Sequence, residues 1–556
     1  MSSLPTQAGG IPVLVLKEGS NRSRGREAQR GNITAAKVVA ESVRSALGPK
    51  GMDKMLVDNF GDVTITSDGR TLLDEMDIQH PAAKMLVEVA KTQDNEAGDG
   101  TTSAVIIAGE LLSRAEELIE KDVHPTVIID GYRKAAEKAL ETLEKIALPV
   151  NLESQDFLKK AATTSMGSKI VAEYKDYLAE LAVEAMLAVA EKQDGVYKAD
   201  VDDVKVEKKT GESVRDTVLI SGIVLDKEIV HSGMPKRVEG AKIALIDASL
   251  EIEKTELDSK LNIESPEQIE GFLREEETML KDMTDKILAS GANVVICQKG
   301  IDDMVQHFLS RKGVVAIRRA KKSDMEKLAK ATGGSIVSSV DDISPSDLGY
   351  AALVEERRIG DDKMTFVEGC RNPKAVTILI RGGTQRMTAE AERSIHDALC
   401  VVRDLIQEPK IVAGGSAPEM EMASVLEKYA EKMPGREQLA VGVFAEALES
   451  IAVALAENAG LDPVDILSEL RARHEKGETW AGVEVLEGKV RDMSKAGIFE
   501  PLSVKKQIIK SANEAASMIL KIDDVIASGK MKGPPTTPGG MGGMGGMGGY
   551  PGAGEY

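Results

Sequence analysis

The sequence predicts a multidomain chain in which an α/β block lies between two mainly helical halves. Three observations carry this. At 556 residues the chain exceeds what one hydrophobic core usually serves, so about three or four domains are expected. Apolar residues recur at helical spacing through most of residues 32–191 and again from about 385 to 528. Between these stretches, strand-like runs alternate with helices, the signature of an α/β region.

Along the first half, Ile33, Ala36, Val39, Ala40, Val43 and Leu47 mark a helix that Gly48-Pro49 stops. Residues 63–66 (Val-Thr-Ile-Thr) alternate as a strand does, and Ser67-Asp68-Gly69 turns the chain. Pro81 opens a helix towards Gln93, and further helices are expected over 101–114 and from about 125 to 146. The helical pattern continues to Glu191, and the polar stretch 194–212 marks a junction. The runs 242–247, 292–297 and 314–317 then read as strands of the α/β block. Two capping boxes are expected there: Ser323 with Glu326, and Ser265 with Gln268 ahead of a helix carrying Ile269, Phe272, Leu273, Leu280 and Met283. Met304 and Phe308 read as core, and the basic cluster Arg318, Arg319, Lys321 and Lys322 as a solvated helix start. After the strand 377–380 and Gly382-Gly383, a helix should run to about Gln407. This order suggests one domain inserted into another, the two helical halves meeting in space. The Gly/Met-rich tail, 529–556, has no means of burying a core and should be disordered.

Composition narrows the function. Hydrophobic residues at 42% and charged residues at 29% are globular values. Only 3% aromatic content and a formal charge of −20 argue against nucleic acid and anionic membrane as partners. Cys297, Cys370 and Cys400 form no CxxC pair and the six histidines show no ligand spacing, so neither a disulfide framework nor a zinc site is indicated. The run 11–16 is too short for a signal peptide, and no window approaches a membrane span. A soluble, cytoplasmic protein is expected.

The most informative stretch is Gly98-Asp-Gly-Thr-Thr-Ser103. Glycines expose backbone N–H groups at the start of an apolar helix, which attracts phosphate, but an aspartate in that loop repels it unless a cation bridges the two. Asp99 is therefore a candidate Mg2+ ligand, since magnesium is commonly held by one or two carboxylates plus phosphate oxygens and waters. Turn chemistry alone favours the plainer reading, a Gly-Asp-Gly turn that caps the helix.

Several segments together resemble a group II chaperonin, the thermosome class related to the eukaryotic cytosolic chaperonin. They are Val13–Gly19, Leu47-Gly-Pro-Lys-Gly-Met-Asp-Lys-Met55, Gly98–Thr102, Gln298–Asp303, Lys321–Leu328, Gly382-Gly383, Gly414-Gly415 and Glu500-Pro501. The resemblance spans essentially the whole chain, and no Walker A pattern is present. It implies a mainly α equatorial ATP-binding domain (1–148 and 406–528) and an α+β intermediate hinge domain (149–218 and 370–405). It further implies an α/β apical client-binding domain (219–369) with a helical protrusion at about 248–286 acting as a built-in lid.

Carried over residue by residue, the resemblance makes Leu47, Gly48 and Pro49 a wall of the ATP site. Gly100, Thr101, Thr102 and Ser103 would hold phosphates, and Asp99 would ligate Mg2+. Gly414 and Gly415 would approach the ribose, and Glu500 the ribose or base edge. Asp397 would position the attacking water with Asp68 in support, and Lys169 would sense the terminal phosphate. From the residues alone, Asp397 falls opposite the stripe Ile395, Ala398, Leu399 and Val402 and reads as solvated. Asp68 reads as a turn residue and Lys169 as a solvated loop lysine. Two departures stand out: Ser67-Asp-Gly-Arg70 where the family usually has Asn-Asp-Gly-Ala, and Ser103 where Thr is common. The resemblance implies an ATP hydrolase and folding chaperone built of two stacked rings, with about eight identical or paralogous subunits per ring. Its partners would be unfolded proteins, with no separate co-chaperonin. A soluble Mg2+-dependent ATPase or phosphotransferase acting on a small substrate, and a non-catalytic scaffold, are the alternatives.

Overall fold

In the computed structural model the described residues are 21–527, apart from 59, 153, 194–195, 253–265 and 373. The segment 13–19, the expected cap Ser265, residues 253–264 of the expected protrusion and the Gly/Met tail lie outside them. The chain divides into two units. In the smaller, residues 1–29 with 522–556, the strands Asn21–Arg24 and Asp524–Ala527 pair antiparallel, and Arg22 is ion-paired to Asp524.

The larger unit, residues 30–521, holds three principal cores. Helices α1 (Arg26–Arg44), α2 (Gly69–Glu75), α3 (Pro81–Ala97), α4 (Thr101–Glu120) and α5 (Pro125–Ile146) supply much of the first. The predicted stripe of α1 is buried from Ile33 to Val43, and α4 is buried all round from Ala104 to Ala108, as suits a central helix. The hairpin of strands Lys54–Val57 and Val63–Thr66 separates α1 from α2.

Helices α6 (Gln155–Ser165) and α7 (Lys175–Val189) begin a second core. It includes the strand Val376–Gly382, which pairs parallel with Val204–Thr210 and antiparallel with Val218–Ile220. A third core surrounds a seven-stranded mixed sheet. There Arg237–Ile246 runs parallel to Val294–Cys297, which pairs in turn with Val315–Ile317. On its other side it pairs antiparallel with Gly349–Ile359. Helices α8 (Pro266–Ala289), α9 (Asp303–Arg311) and α10 (Lys322–Thr332) belong to this block. The chain returns through α11 (Gln385–Gln407), which lies in the second core, to α12 (Ala417–Ala430), α13 (Glu437–Ala459), α14 (Pro463–Glu475), α15 (Met493–Ala496) and α16 (Leu502–Leu520). Buried residues of α12, α13, α14 and α16 join those of α1–α5, so the first core draws on both ends of the chain.

Several expectations are corrected. Ser323 does not cap a helix: α10 starts at Lys322, with no side-chain cap, and Asp324 is drawn 2.6 Å from Lys205 Nζ. Met304 is exposed, because α9 turns it away from the sheet. Ile269, Phe272 and Leu273 of α8 are exposed as well, and only from Leu280 onward does the stripe reach the core. One window does reach membrane-span hydropathy. It is α13, yet 72% of that window is buried inside the protein, so its apolar character serves the core. Arg318, Arg319, Lys321 and Lys322 are exposed, as the solvated reading expects.

Two helical glycines test this packing. A Cβ on Gly109 of α4 would sit 2.2 Å from Ala40 Cβ of α1, whereas one on Gly442 of α13 meets nothing within 4 Å. Gly442→Ala should stabilise the protein by about 0.5–1 kcal/mol through helix propensity. Gly109→Ala should destabilise it by about 1–3 kcal/mol, because α4 and α1 must separate. Thermal unfolding of the two variants side by side should move the midpoint in opposite directions.

Candidate functional site

The Gly98–Ser103 loop is fixed by what packs into its glycines. Gly98 (φ 68°) ends α3, its N–H donating to Asp94 O, and Gly100 (φ 78°) begins α4; both adopt the left-handed region that favours glycine. A Cβ on Gly98 would lie 2.1 Å from Cys400 Cβ of α11, and one on Gly100 2.6 Å from Ile508 Cδ1 of α16. The loop is therefore clamped between α11 and α16. Gln93 Nε2 donates to Asp99 O at 2.8 Å, and Gly100 N donates to Asp99 Oδ1 at 2.6 Å. No side chain caps α4, so the N–H groups of Thr101, Thr102 and Ser103 form an open helix N-terminus. The hydroxyls of these three residues make no hydrogen bond among the described residues, although all three residues are buried.

A cavity of about 540 Å³ opens beside this loop. Of the residues expected there, Leu47, Gly48, Pro49, Asp99, Gly100, Ser103, Gly415 and Glu500 line it. Gly48 (φ 81°) lets the chain turn hard against Leu455, and Asn458 Nδ2 holds the turn by donating to Arg44 O and Leu47 O. Gly414 N donates to Ile498 O, while Gly415 O accepts from Val483 N at 2.8 Å. Glu500 lies in the strand Phe499–Pro501, paired with Lys410–Ala413. Thr101, Thr102 and Gly414 share these segments without lining the cavity, and Asp68, Lys169 and Asp397 are not among its lining residues.

Those last three meet one another instead. Asp68 caps α2, its Oδ2 accepting from the backbone N–H and the hydroxyl of Thr71, both at 2.8 Å. The following Gly69 is pressed against the first turn of α4, where a Cβ would come within 2.6 Å of Thr102 Oγ1. Lys169 and Asp397 form a buried ion pair. Both the solvated lysine and the outward aspartate are thus corrected. The reason is that α11 is covered twice. Ile395, Ala398, Leu399 and Val402 face one core as expected, while Glu390, Ser394, Asp397 and Asp404 form a second, polar stripe that is also buried. Arg70, the unusual cation of this loop, is ion-paired with Asp94 and lies 3.7 Å from Asp74.

Charge in this cluster is unbalanced. Burial disfavours the Lys169 ammonium, yet Asp397 and Asp68 hold its proton more tightly than in an ordinary lysine. One lysine does not compensate its neighbours. Burial pushes the Asp397 carboxyl well above the usual range, with Asp68 and Asp99 adding repulsion against the pull of Lys169. Burial raises Asp99 as well, against Lys169 and the Gly100 N–H. Asp68 moves the other way: burial opposes its charge, but Lys169 and the two Thr71 donors keep it below the usual range. Glu390, whose Oε1 is buried without a partner among the described residues, adds a further carboxylate, paired through Oε2 with Arg393.

An acidic cluster beside an open helix N-terminus suits a phosphate accompanied by a hard cation. Among the described residues no group of three or more His, Cys, Asp or Glu side chains is placed to hold a metal. The donors present are oxygens, and few, which fits Mg2+ sharing its sphere with phosphate and water and does not fit a metal needing imidazole or thiolate. Ser416 Oγ, buried on the cavity wall without a partner among the described residues, is a further unused polar atom. Sequence reasoning missed Glu390, Ser416 and Lys505. Only Glu390 carried a signal, seven residues before Asp397 and so on the same helix face.

Known proteins resemble this chain over nearly its whole length. The thermosome subunit beta of Thermococcus kodakarensis is 60% identical over 527 residues, covering 95% of this chain and 96% of the relative. The thermosome subunit of Pyrococcus horikoshii is 58% identical over the same length, with the same coverage. The thermosome subunit alpha of Archaeoglobus fulgidus is 57% identical over 534 residues, covering 96% and 98%. The family model described as the TCP-1/cpn60 chaperonin family matches residues 39–530, and with relatives this similar over this length the chain belongs to that family.

Proposed function

We propose that the chain is an ATP-hydrolysing group II chaperonin subunit, in which nucleotide turnover drives enclosure of unfolded client proteins. One observation carries the nucleotide part of this reading. Asp397, from a distant segment of the chain, is packed by α11 into the same charged cluster as Asp68 and Asp99, at the open N-terminus of α4 and beside a cavity large enough for a nucleotide.

In this reading the backbone N–H groups and hydroxyls of Thr101, Thr102 and Ser103 bind phosphate oxygens, with Gly100 keeping the approach open. Leu47, Gly48 and Pro49 wall the nucleotide, Gly414 and Gly415 admit the ribose, and Glu500 accepts from it. Asp99 is the protein ligand to Mg2+, which when bound supplies the positive charge that lets phosphate lie beside a carboxylate. Asp397 orients water for attack on the terminal phosphate, and Asp68, held ionised by Thr71 and Lys169, supports it. Lys169 exchanges its contact with Asp397 for the incoming phosphate. The block 219–369 binds clients, and α8, with Ile269, Phe272 and Leu273 exposed, belongs to a built-in lid at about 248–286, so no separate co-chaperonin is required. The protein works in the cytoplasm as two stacked rings of identical or paralogous subunits.

Three outcomes are expected. Asp397→Ala should lower ATP turnover by about 100-fold or more while equilibrium ATP binding stays within about threefold of the unsubstituted protein. Unchanged turnover would remove Asp397 from the reaction. The pH profile should carry an acid limb above the ordinary carboxylate range, because a raised Asp397 must lose its proton to accept one from water. Lys169→Met removes the cation that favours the ionised form, so this limb should move to higher pH; a limb that stays put or moves lower would contradict the pairing. Negative-stain imaging and size exclusion should show stacked rings on the megadalton scale, and a monomer turning over a small substrate would favour the phosphotransferase reading.

A further inference from the structure

Beneath one wall of the cavity, α12, the strand Phe499–Pro501 and the first turn of α16 bring three charges together. Lys505 Nζ lies 2.8 Å from Glu419 Oε1 and 2.8 Å from Glu500 Oε2. Lys505 is 4% exposed and Glu419 1%. Lys505 and Glu500 both line the cavity, while Glu419 stands behind them.

Two details give this group a direction. Glu500 uses Oε2 for Lys505, while its Oε1 makes no hydrogen bond among the described residues and lies against Gly414, where a Cβ would come within 3.1 Å of it. That oxygen is left as a free acceptor beside the glycine pair. Among the described residues Glu419 Oε2 is buried with no partner, so the contacts of this carboxylate there are confined to Lys505. A second buried carboxylate on one ammonium is poor economy for stability alone, since burying charge costs several kcal/mol per ion. It makes sense as a brace. With its ammonium fixed from behind by Glu419, Lys505 holds the Glu500 carboxylate in one orientation, and a preoriented acceptor loses less on binding a hydroxyl.

We propose that Lys505 and Glu419 are positioning residues for ribose recognition, holding Glu500 so that Oε1 accepts from a ribose hydroxyl and the site prefers ribonucleotides to nucleotides lacking both hydroxyls. This rests on the nucleotide-site reading above. It differs from a simple charge effect of Lys505 on the phosphates, because a dideoxynucleotide keeps every phosphate.

The test is competition binding of Mg-ATP and Mg-2′,3′-dideoxy-ATP to the assembled full-length protein. The unsubstituted protein should prefer ATP by about tenfold or more, the worth of a hydrogen bond to a charged group. In Lys505→Met the preference should shrink to below about threefold, while Lys505→Arg, which can still hold both carboxylates, keeps most of it. Equal weakening of both nucleotides by Lys505→Met, with the preference intact, overturns the proposal and leaves Lys505 a phosphate or structural charge. Equal binding of both nucleotides by the unsubstituted protein overturns the ribose role of Glu500 itself, and failure to bind either overturns the nucleotide site. Should Lys505→Met not assemble, the double variant Glu419→Met with Lys505→Met removes the buried pair as a unit, and the same loss of preference is expected.

Discussion

Lys169 and Asp397 stand 228 positions apart and meet in a buried region, where removing Lys169 would leave uncompensated buried carboxylates at a cost of about 3–5 kcal/mol. The pair ties α11 to the segment that follows α6, beside the apolar packing of the two helices in the second core. The charge state of the site depends on it as well, since the same ammonium acts on Asp68, Asp99 and Glu390. The excess of carboxylate over cation shows in the raised proton affinity of Asp397 and Asp99, which burial and mutual repulsion make easier to protonate than ordinary aspartates.

The loops around the cavity are positioned by filling rather than by hydrogen bonding alone. Cys400 occupies the place of a side chain at Gly98, Ile508 does so at Gly100, and Leu455 at Gly48. Each contact couples one loop to one helix at van der Waals distance, where there is little slack. Cys400 lies one turn beyond Asp397 on α11, so the contact that sets the Gly98–Ser103 loop and the Asp397 carboxyl belong to one rigid element. The cavity's other end has a different support. There Lys505, with Glu419 behind it, is ion-paired to Glu500, and Gly414 leaves room for the Glu500 carboxylate.

Much of the fold was legible because local signals agreed with tertiary packing. Pro125 at the first helical position and a helix ending at Ile146 were readable from the sequence, as was the end of α11 at Gln407. The turn between α3 and α4 could be read from its glycines. Signals failed where a partner far along the chain decides. Ser323 and Glu326 fit a capping box, but Asp324 is held by Lys205 on another element, and the helix starts earlier. A one-stripe reading of α11 makes Asp397 solvated, since no local pattern announces a second covered face made of polar residues. Lys505 looks like any surface lysine until Glu419 and Glu500 are brought to it from separate segments. The apolar run of α13 is explained by its place in the core, which hydropathy alone does not report.

The double burial of α11 has a mechanical consequence. A helix with one covered face can roll about its axis and exchange that face for solvent, but α11 has apolar contacts on one side and charged ones on the other, so rolling breaks both. It is free to tilt. From Asp397 back to Gln385 the helix measures about 18 Å at 1.5 Å per residue, and Gln385 follows directly on the strand Val376–Gly382 of the three-stranded sheet. A tilt of a few degrees about Cys400 would therefore arrive at that sheet as a displacement of about 1 Å, so a small shift at Asp397 would be felt enlarged at the strand Val376–Gly382.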